Sequence, residues 1–262
     1  MQPTETSYSK IVLPVIRRTR EMLLPYYGKV EFKSKQSDKR FELVTKLDSE
    51  VELFLKTEFS KRFPDISFTG EETGGDHKAE KFWLVDPIDG TAHFIRGIPF
   101  CTTMVALIDS NEVVFSAIYD FVNDVMYSAE KGQGALANEK PIHVSNRPLE
   151  GAYMAYETHL DKEENFRWFL KLREKCIPIS IGCSGFEFHL IASGRLEGRI
   201  CIDPHGKDYD FAAGTFLVRE AGGIVANIGQ KTYDYKNLEF LAVNPNVFNE
   251  LTTGTDAIFP IL

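Results

Sequence analysis

An α+β fold is predicted, on three observations. Between residues 102 and 145, short β-type runs follow one another with only turns between them, which is the pattern of an antiparallel sheet. Beyond residue 151, strands and helices alternate instead. Ahead of both regions lie two segments whose apolar residues recur at helical spacing. The polar stretch 145–151, with Pro148, is the expected boundary and divides the chain into halves 1–147 and 148–262.

The elements are justified in order. Over 5–27, Ile11, Val12, Val15, Ile16, Met22 and Leu23 fall on one helical face, and Pro14 marks a kink or the true start. Residues 29–40 are polar and lysine-rich and read as a mobile loop, with Lys33 and Lys35 on a solvated face. A second helix over 44–59 is set by Val44, Leu47, Val51, Phe54, Leu55 and Phe59, with Asp48, Glu50, Glu52 and Glu58 on its acidic face and Pro64 as its stop. Residues 66–69 form a strand that runs into Gly70-Glu71-Glu72, and 73–81 read as a surface loop. Phe82-Trp83-Leu84-Val85 is a short buried strand that ends near Asp86, because Pro87 lacks an N–H and fixes φ. Strands follow over 102–108, 112–119 and 124–130, the first two joined by the turn Asp109-Ser110-Asn111, and 135–145 leads out of the sheet. In the second half the expected order is strand 152–156, helix 162–175, strand 177–181, helix 186–192, strand 198–202, helix 210–221 and strands 224–227 and 240–243. No internal repeat or low-complexity tract is present.

Bulk properties exclude several function classes. The 262 residues carry 43% hydrophobic and 26% charged side chains, ordinary for a globular protein with a substantial core. A net charge of −8 and the absence of a long basic run argue against polymeric nucleic acid as a partner. Cys101, Cys176, Cys183 and Cys201 form no C-x-x-C pair, so neither a zinc ribbon nor a redox motif is indicated. They read as buried thiols of a reducing compartment. With no signal-peptide pattern and no apolar run of membrane-spanning length, a cytoplasmic location is expected.

The chemistry concentrates at strand ends. Asp86 and Asp89 lie three residues apart on a rigid turn and can aim at one point, which would be too negative without a cation. Carboxylates with the Ile88 carbonyl make a hard oxygen set suited to Mg²⁺. The backbone amides of Gly90 and Thr91, just past the turn, suit an anion such as phosphate. If strands 66–69 and 82–85 are neighbours, Glu71 joins the two aspartates. Asp210, before Phe211-Ala212-Ala213-Gly214, has the look of a helix N-cap, and the small residues after it allow tight packing against a site.

Gly70-Glu71-Glu72, then Trp83-Leu84-Val85-Asp86-Pro87-Ile88-Asp89-Gly90-Thr91, then Asp210-Phe211-Ala212-Ala213-Gly214 with Glu220-Ala221-Gly222-Gly223 together resemble the inositol monophosphatase family of magnesium-dependent, lithium-sensitive phosphatases. The resemblance runs from about Glu42 to Asn244. It implies a layered αβαβα sandwich, a homodimer and two to three Mg²⁺ per subunit. It places Glu71, Asp86, the Ile88 carbonyl, Asp89 and Asp210 on the metals. It places Gly90 and Thr91 on phosphate, and Asp48 with Thr91, beside Glu71, at the attacking water. Asp89, Gly182, Cys183, Ser184, Asp203 and Asp210 would line the substrate, Asp203 contacting sugar hydroxyls. Departures are Glu42 and Tyr209, where the family often has Asp and Trp, and the unusual stretch Asp203-Pro204-His205-Gly206-Lys207-Asp208.

The implied activity is hydrolysis of a small phosphomonoester, with inositol monophosphate as the lead substrate. Histidinol phosphate, adenosine 3′,5′-bisphosphate and fructose 1,6-bisphosphate are alternatives with the same chemistry, and Lys207 would favour a second phosphate. A regulatory protein-binding role on the same fold is the alternative of a different class.

Overall fold

The structure is a computed structural model that describes residues 7–29, 33–37, 40–44 and 46–261. The side chains of residues 33–37 and 40–44 lie outside the described residues, Lys33, Lys35 and Glu42 among them, as does the helix start expected at residue 5. Helices α1 (Tyr8–Arg17) and α2 (Thr19–Leu23) open the chain. Pro14 lies inside α1, and the break comes at Arg18 instead. Strands β1 (Lys33–Ser37) and β2 (Arg40–Val44) pair as an antiparallel hairpin; β1 falls where a loop was expected, and Val44 ends β2 instead of opening the second helix. Lys-Ser-Lys-Gln-Ser has no apolar alternation, so nothing in its pattern announces a strand.

The first sheet follows. After α3 (Lys46–Arg62) come β3 (Ser67–Gly70), β4 (Lys81–Asp89), the short α4 (Thr91–Arg96), β5 (Thr102–Asp109), β6 (Glu112–Asp120), β7 (Val125–Glu130), β8 (Ala135–Ala137) and β9 (Lys140–Ile142). These seven strands lie side by side in sequence order. Only β3 and β4 run parallel; every later pair is antiparallel. β4 does not stop before Pro87 but continues to Asp89, with a break in its register against β5 between Asp86 and Asp89. Such an irregularity accommodates proline within a paired strand.

The second sheet is built from β10 (Tyr153–Glu157), β11 (Ile177–Ile179), β12 (Gly198–Cys201), β13 (Ile224–Asn227) and β14 (Phe240–Val243), in the order β11-β10-β12-β14-β13. α5 (Glu163–Lys175) joins β10 to β11, α6 (Ser184–Ala192) and α7 (Asp208–Glu220) flank β12, and α8 (Pro245–Thr252) ends the described elements. α6 starts at Ser184, two residues before the expected start. α7 starts at Asp208, so Asp210 lies in its first turn rather than at the cap; its carboxylate accepts the Lys207 N–H at 2.6 Å.

Alternation along the strands sorts the core into layers. In β4, Trp83 and Val85 pack with Val12, Val15, Val51 and Leu55 of α1 and α3 on one face. Phe82 and Leu84 pack on the other face with Phe188, Ile191, Phe211 and Phe216 of α6 and α7. The same two helices contact Ala155, Cys201, Phe240 and Ala242 of the second sheet. That sheet's opposite face carries Met154, Ile200, Leu241 and Val243 against Leu172 of α5 and Val247 and Leu251 of α8. The result is helices, sheet, helices, sheet, helices, with α6 and α7 as the shared middle layer. All four cysteines are buried and free. No helix of the described residues is long and apolar enough to cross a membrane.

Candidate active site

Parallel pairing of β3 with β4 puts Gly70 opposite Val85, and the Glu71 N–H donates to the Val85 carbonyl at 3.0 Å. The next residue on each strand is a carboxylate, so Glu71 comes beside Asp86. Glu52 of α3 braces this strand end. Its Oε2 accepts the Glu72 N–H at 2.8 Å, and its Oε1 accepts the Thr73 N–H at 2.9 Å and the Thr73 hydroxyl at 2.5 Å. A Cβ at Gly70 would lie 2.2 Å from the Glu52 carboxyl carbon, so only glycine admits this brace. Asp48 and Glu52, both on the acidic face read from the sequence, are buried. Their spacing of four residues, one helical turn, was the available signal.

At the end of β4 the chain reaches across to the middle layer. Asp89 Oδ2 accepts from the Gly185 N–H at 2.6 Å, the Cys183 thiol at 2.9 Å and the Thr102 hydroxyl at 3.2 Å, while Oδ1 accepts the Ser184 N–H at 3.1 Å. Asp89 thus ties the first sheet to the start of α6. Gly90 follows at φ 83°, where a Cβ would meet the Phe100 carbonyl at 2.5 Å, and this turn directs Thr91 into α4. The Thr91 hydroxyl donates to the Ile88 carbonyl at 2.8 Å.

Asp86, Asp89 and Asp210 converge, each offering a carboxylate oxygen within 4.8 Å of the others. Asp86 Oδ1 is buried and has no hydrogen-bond partner among the described residues. Burial, with Glu71, Asp89 and Asp210 nearby, holds the Asp86 carboxyl well above the usual carboxylate range. Burial also raises Asp89, against the opposing pull of its Cys183, Gly185 and Ser184 donors. Burial and then Asp89 raise Asp210. Glu71 is exposed at the cleft as a residue, yet its carboxyl is enclosed, and burial and Asp48 push it up to about 8. A buried, unpartnered oxygen among like-charged hard oxygens fits a divalent cation such as Mg²⁺.

The cleft above this cluster measures about 420 Å³ and is lined by Glu71, Asp89, Gly90, Thr91 and Asp210. Gly182, Cys183 and Ser184 line it as well, next to Asp89, together with Glu157, Arg199 and Lys207. Asp203 is not brought to the cleft. At φ 49° it turns away, and its carboxylate takes the Lys162 ammonium at 2.5 Å and the Asn165 amide at 2.9 Å. The Lys162 bond holds its carboxyl below the usual range. Arg199 and Glu157 escaped the sequence reading. The one available signal was an arginine inside the buried strand Gly198-Arg199-Ile200-Cys201.

Fold and site together define a phosphomonoester hydrolase. The chain belongs to the inositol monophosphatase family, whose model matches residues 6–256. It is similar to fructose-1,6-bisphosphatase/inositol-1-monophosphatase of Thermotoga maritima, at 28% identity over 91% of this chain and 92% of that protein. It is also similar to inositol monophosphatase 1 of Homo sapiens, at 28% identity over 84% of this chain and 83% of that one. Among solved structures, the extragenic suppressor protein suhB of Bartonella henselae superposes with a TM-score of 0.82 at 26% identity, covering 92% and 95% of the two chains.

Proposed function

We propose that this protein is a Mg²⁺-dependent phosphatase of small polyol phosphates, with inositol monophosphate its first candidate substrate. The observation that carries the reading is the convergence of Asp86, Asp89 and Asp210 beside Glu71 at the floor of a polar cleft. Asp86 offers its unpartnered Oδ1, and Asp89 Oδ1 has accepted only one donor among the described residues, so both retain a lone pair for a cation. Glu71, the Ile88 carbonyl and Asp210 complete the set for two to three ions. Bound cations supply charge neutralisation, an acidified water and stabilisation of the leaving oxygen.

The chain's own groups do the rest. The Gly90 and Thr91 amides bind phosphate oxygens. The Thr91 hydroxyl donates its hydrogen bond to the Ile88 carbonyl, so its oxygen is left to accept from the attacking water, with Glu71 and its neighbour Asp48 of α3 as the carboxylates that would act on that water. Hydrolysis of a monoester needs such placement and neutralisation more than a covalent nucleophile. Lys207, exposed at the rim, favours a bisphosphate as the second reading. A homodimer in the cytoplasm is the assembly and location that go with this reading, and gel filtration tests the former.

The deciding experiment is phosphate release from a panel of polyol, sugar and nucleotide phosphates with Mg²⁺, repeated in EDTA. Turnover that EDTA abolishes supports the reading, and the order of substrates separates monophosphate from bisphosphate. Folded, Mg²⁺-supplied protein that cleaves no member would remove it.

A further inference from the structure

In the same cleft, beside the aspartates, one arginine holds two carboxylates of different accessibility. Arg199 is fully buried on β12. Its Nη1 bonds Glu187, its Nη2 bonds Glu157 and reaches the Ser184 hydroxyl at 3.2 Å, and its Nε meets the Cys201 sulfur at 3.1 Å. The guanidinium lies 5.2 Å and 5.4 Å from the ring centroids of Phe188 and Phe211. Glu187 spends its other oxygen on the Ile181 N–H, at 2.7 Å, and its side chain is only 2% exposed. Glu157 spends its Oε1 on the His205 and Gly206 N–H groups, at 2.9 and 2.8 Å, but 20% of its side chain remains open.

A carboxylate offers about four acceptor positions. Glu157 fills three among the described residues, two on Oε1 and one on Oε2. The fourth belongs to a residue that lines the cleft. Gly206 links it to the aspartate cluster, since a Cβ there would lie 3.1 Å from Asp210 Oδ2. A small ester whose phosphate sits at the aspartates therefore brings its alcohol portion towards Glu157. Because Arg199 and the 205–206 amides fix its position, Glu157 is pre-organised to accept a hydrogen bond from a hydroxyl and offers nothing to an alkyl group.

We propose that Glu157 is a specificity-determining residue that accepts a hydrogen bond from a hydroxyl of the substrate's alcohol portion, so that the cleft selects polyhydroxylated phosphomonoesters. The proposal rests on the phosphatase reading above. Its test uses two esters with the same ring, inositol 1-phosphate and cyclohexyl phosphate, with Mg²⁺ present. Wild-type protein prefers the hydroxylated ring in kcat/KM. Glu157→Gln narrows that preference by about tenfold or more, the worth of a hydrogen bond to a charged group, and does so mainly through KM for inositol 1-phosphate.

A merely structural loss lowers kcat on both esters equally and leaves the preference intact, which overturns the proposal. If Glu157→Gln does not fold, wild-type protein still decides: equal kcat/KM on the two rings overturns the role of Glu157. Release of phosphate from neither ring by folded wild-type protein overturns the phosphatase reading and this inference together. Turnover of both rings without discrimination overturns this inference alone.

Discussion

Two clusters along one cleft handle buried charge in opposite ways. In the first, Glu71, Asp86, Asp89 and Asp210 crowd together, and among the described residues no Lys or Arg forms a salt bridge with any of them. In the second, Glu157 and Glu187 share the guanidinium of Arg199. Buried like charges without a partner are costly, so the first cluster is a candidate cation site. The second cluster has a counter-charge built in, one guanidinium between two carboxylates. It anchors two loops of the cleft, 181–182 through Glu187 and 205–206 through Glu157. Uncompensated charge thus leaves room for an ion, and bridged charge keeps shape.

The largest effect that sharpens this contrast is catalytic. Asp86→Asn or Asp210→Asn should lower kcat by about 10³-fold or more, the scale of losing a principal electrostatic contributor. The metal-free variants should unfold at or above the wild-type temperature, because a repulsive charge is gone. Retention of activity within about tenfold would break the assignment. Arg199→Met should do the reverse in the second cluster. Leaving the buried Glu187 and the half-buried Glu157 without their shared cation costs about 3–5 kcal/mol, and denaturant unfolding measures it. A loss under about 1 kcal/mol would mean the pair is solvated and the contrast false.

Mg²⁺ and pH probe the same difference more gently. Mg²⁺ at about 100 times its dissociation constant should stabilise the wild type by about 2.7 kcal/mol, and Asp86→Asn by much less. In EDTA the sign with pH is fixed by Glu71, raised from 4.5 to about 8. Between those values the folded protein holds protons that the unfolded chain has released. The metal-free fold therefore loses stability as pH rises through that window, which melting curves at its two ends would show. Added Mg²⁺ should flatten or reverse the trend, since deprotonated carboxylates bind it better. A metal-free protein that gains stability across the window would contradict the placement of Glu71. The smallest effect belongs to Asp203→Asn. Asparagine tolerates its positive φ, and an exposed ion pair is worth about 0–1 kcal/mol. KM should hardly move, and a tenfold rise would return Asp203 to the substrate.

Much of this arrangement was legible in the sequence, and the reason is local. Asp86 and Asp89 sit three residues apart on one strand end, and Glu71 needed only the pairing of two adjacent strands. The middle layer was less legible, because α6 and α7 are apolar nearly all round and their alternation says little about which sheet they face. Arg199 and Glu157 were missed because their bond spans 42 positions with no motif at either end. Asp203 lies outside the cleft lining for a related reason. Spacing along the chain suggested its position, while a left-handed backbone and the side chains of Lys162 and Asn165 decide it. Strand β1 had no apolar alternation to reveal it, although Phe41 and Leu43 of its partner β2 alternate.

The grip of Asp89 on α6 has a consequence for how the molecule reports its own state. The same carboxylate that faces the candidate cation site also holds the amide hydrogens of Ser184 and Gly185. A cation held there would draw electron density from that carboxylate and fix it in place, so the two amides would register metal loading at the start of α6. Their exchange with deuterium offers a readout of occupancy that needs no substrate.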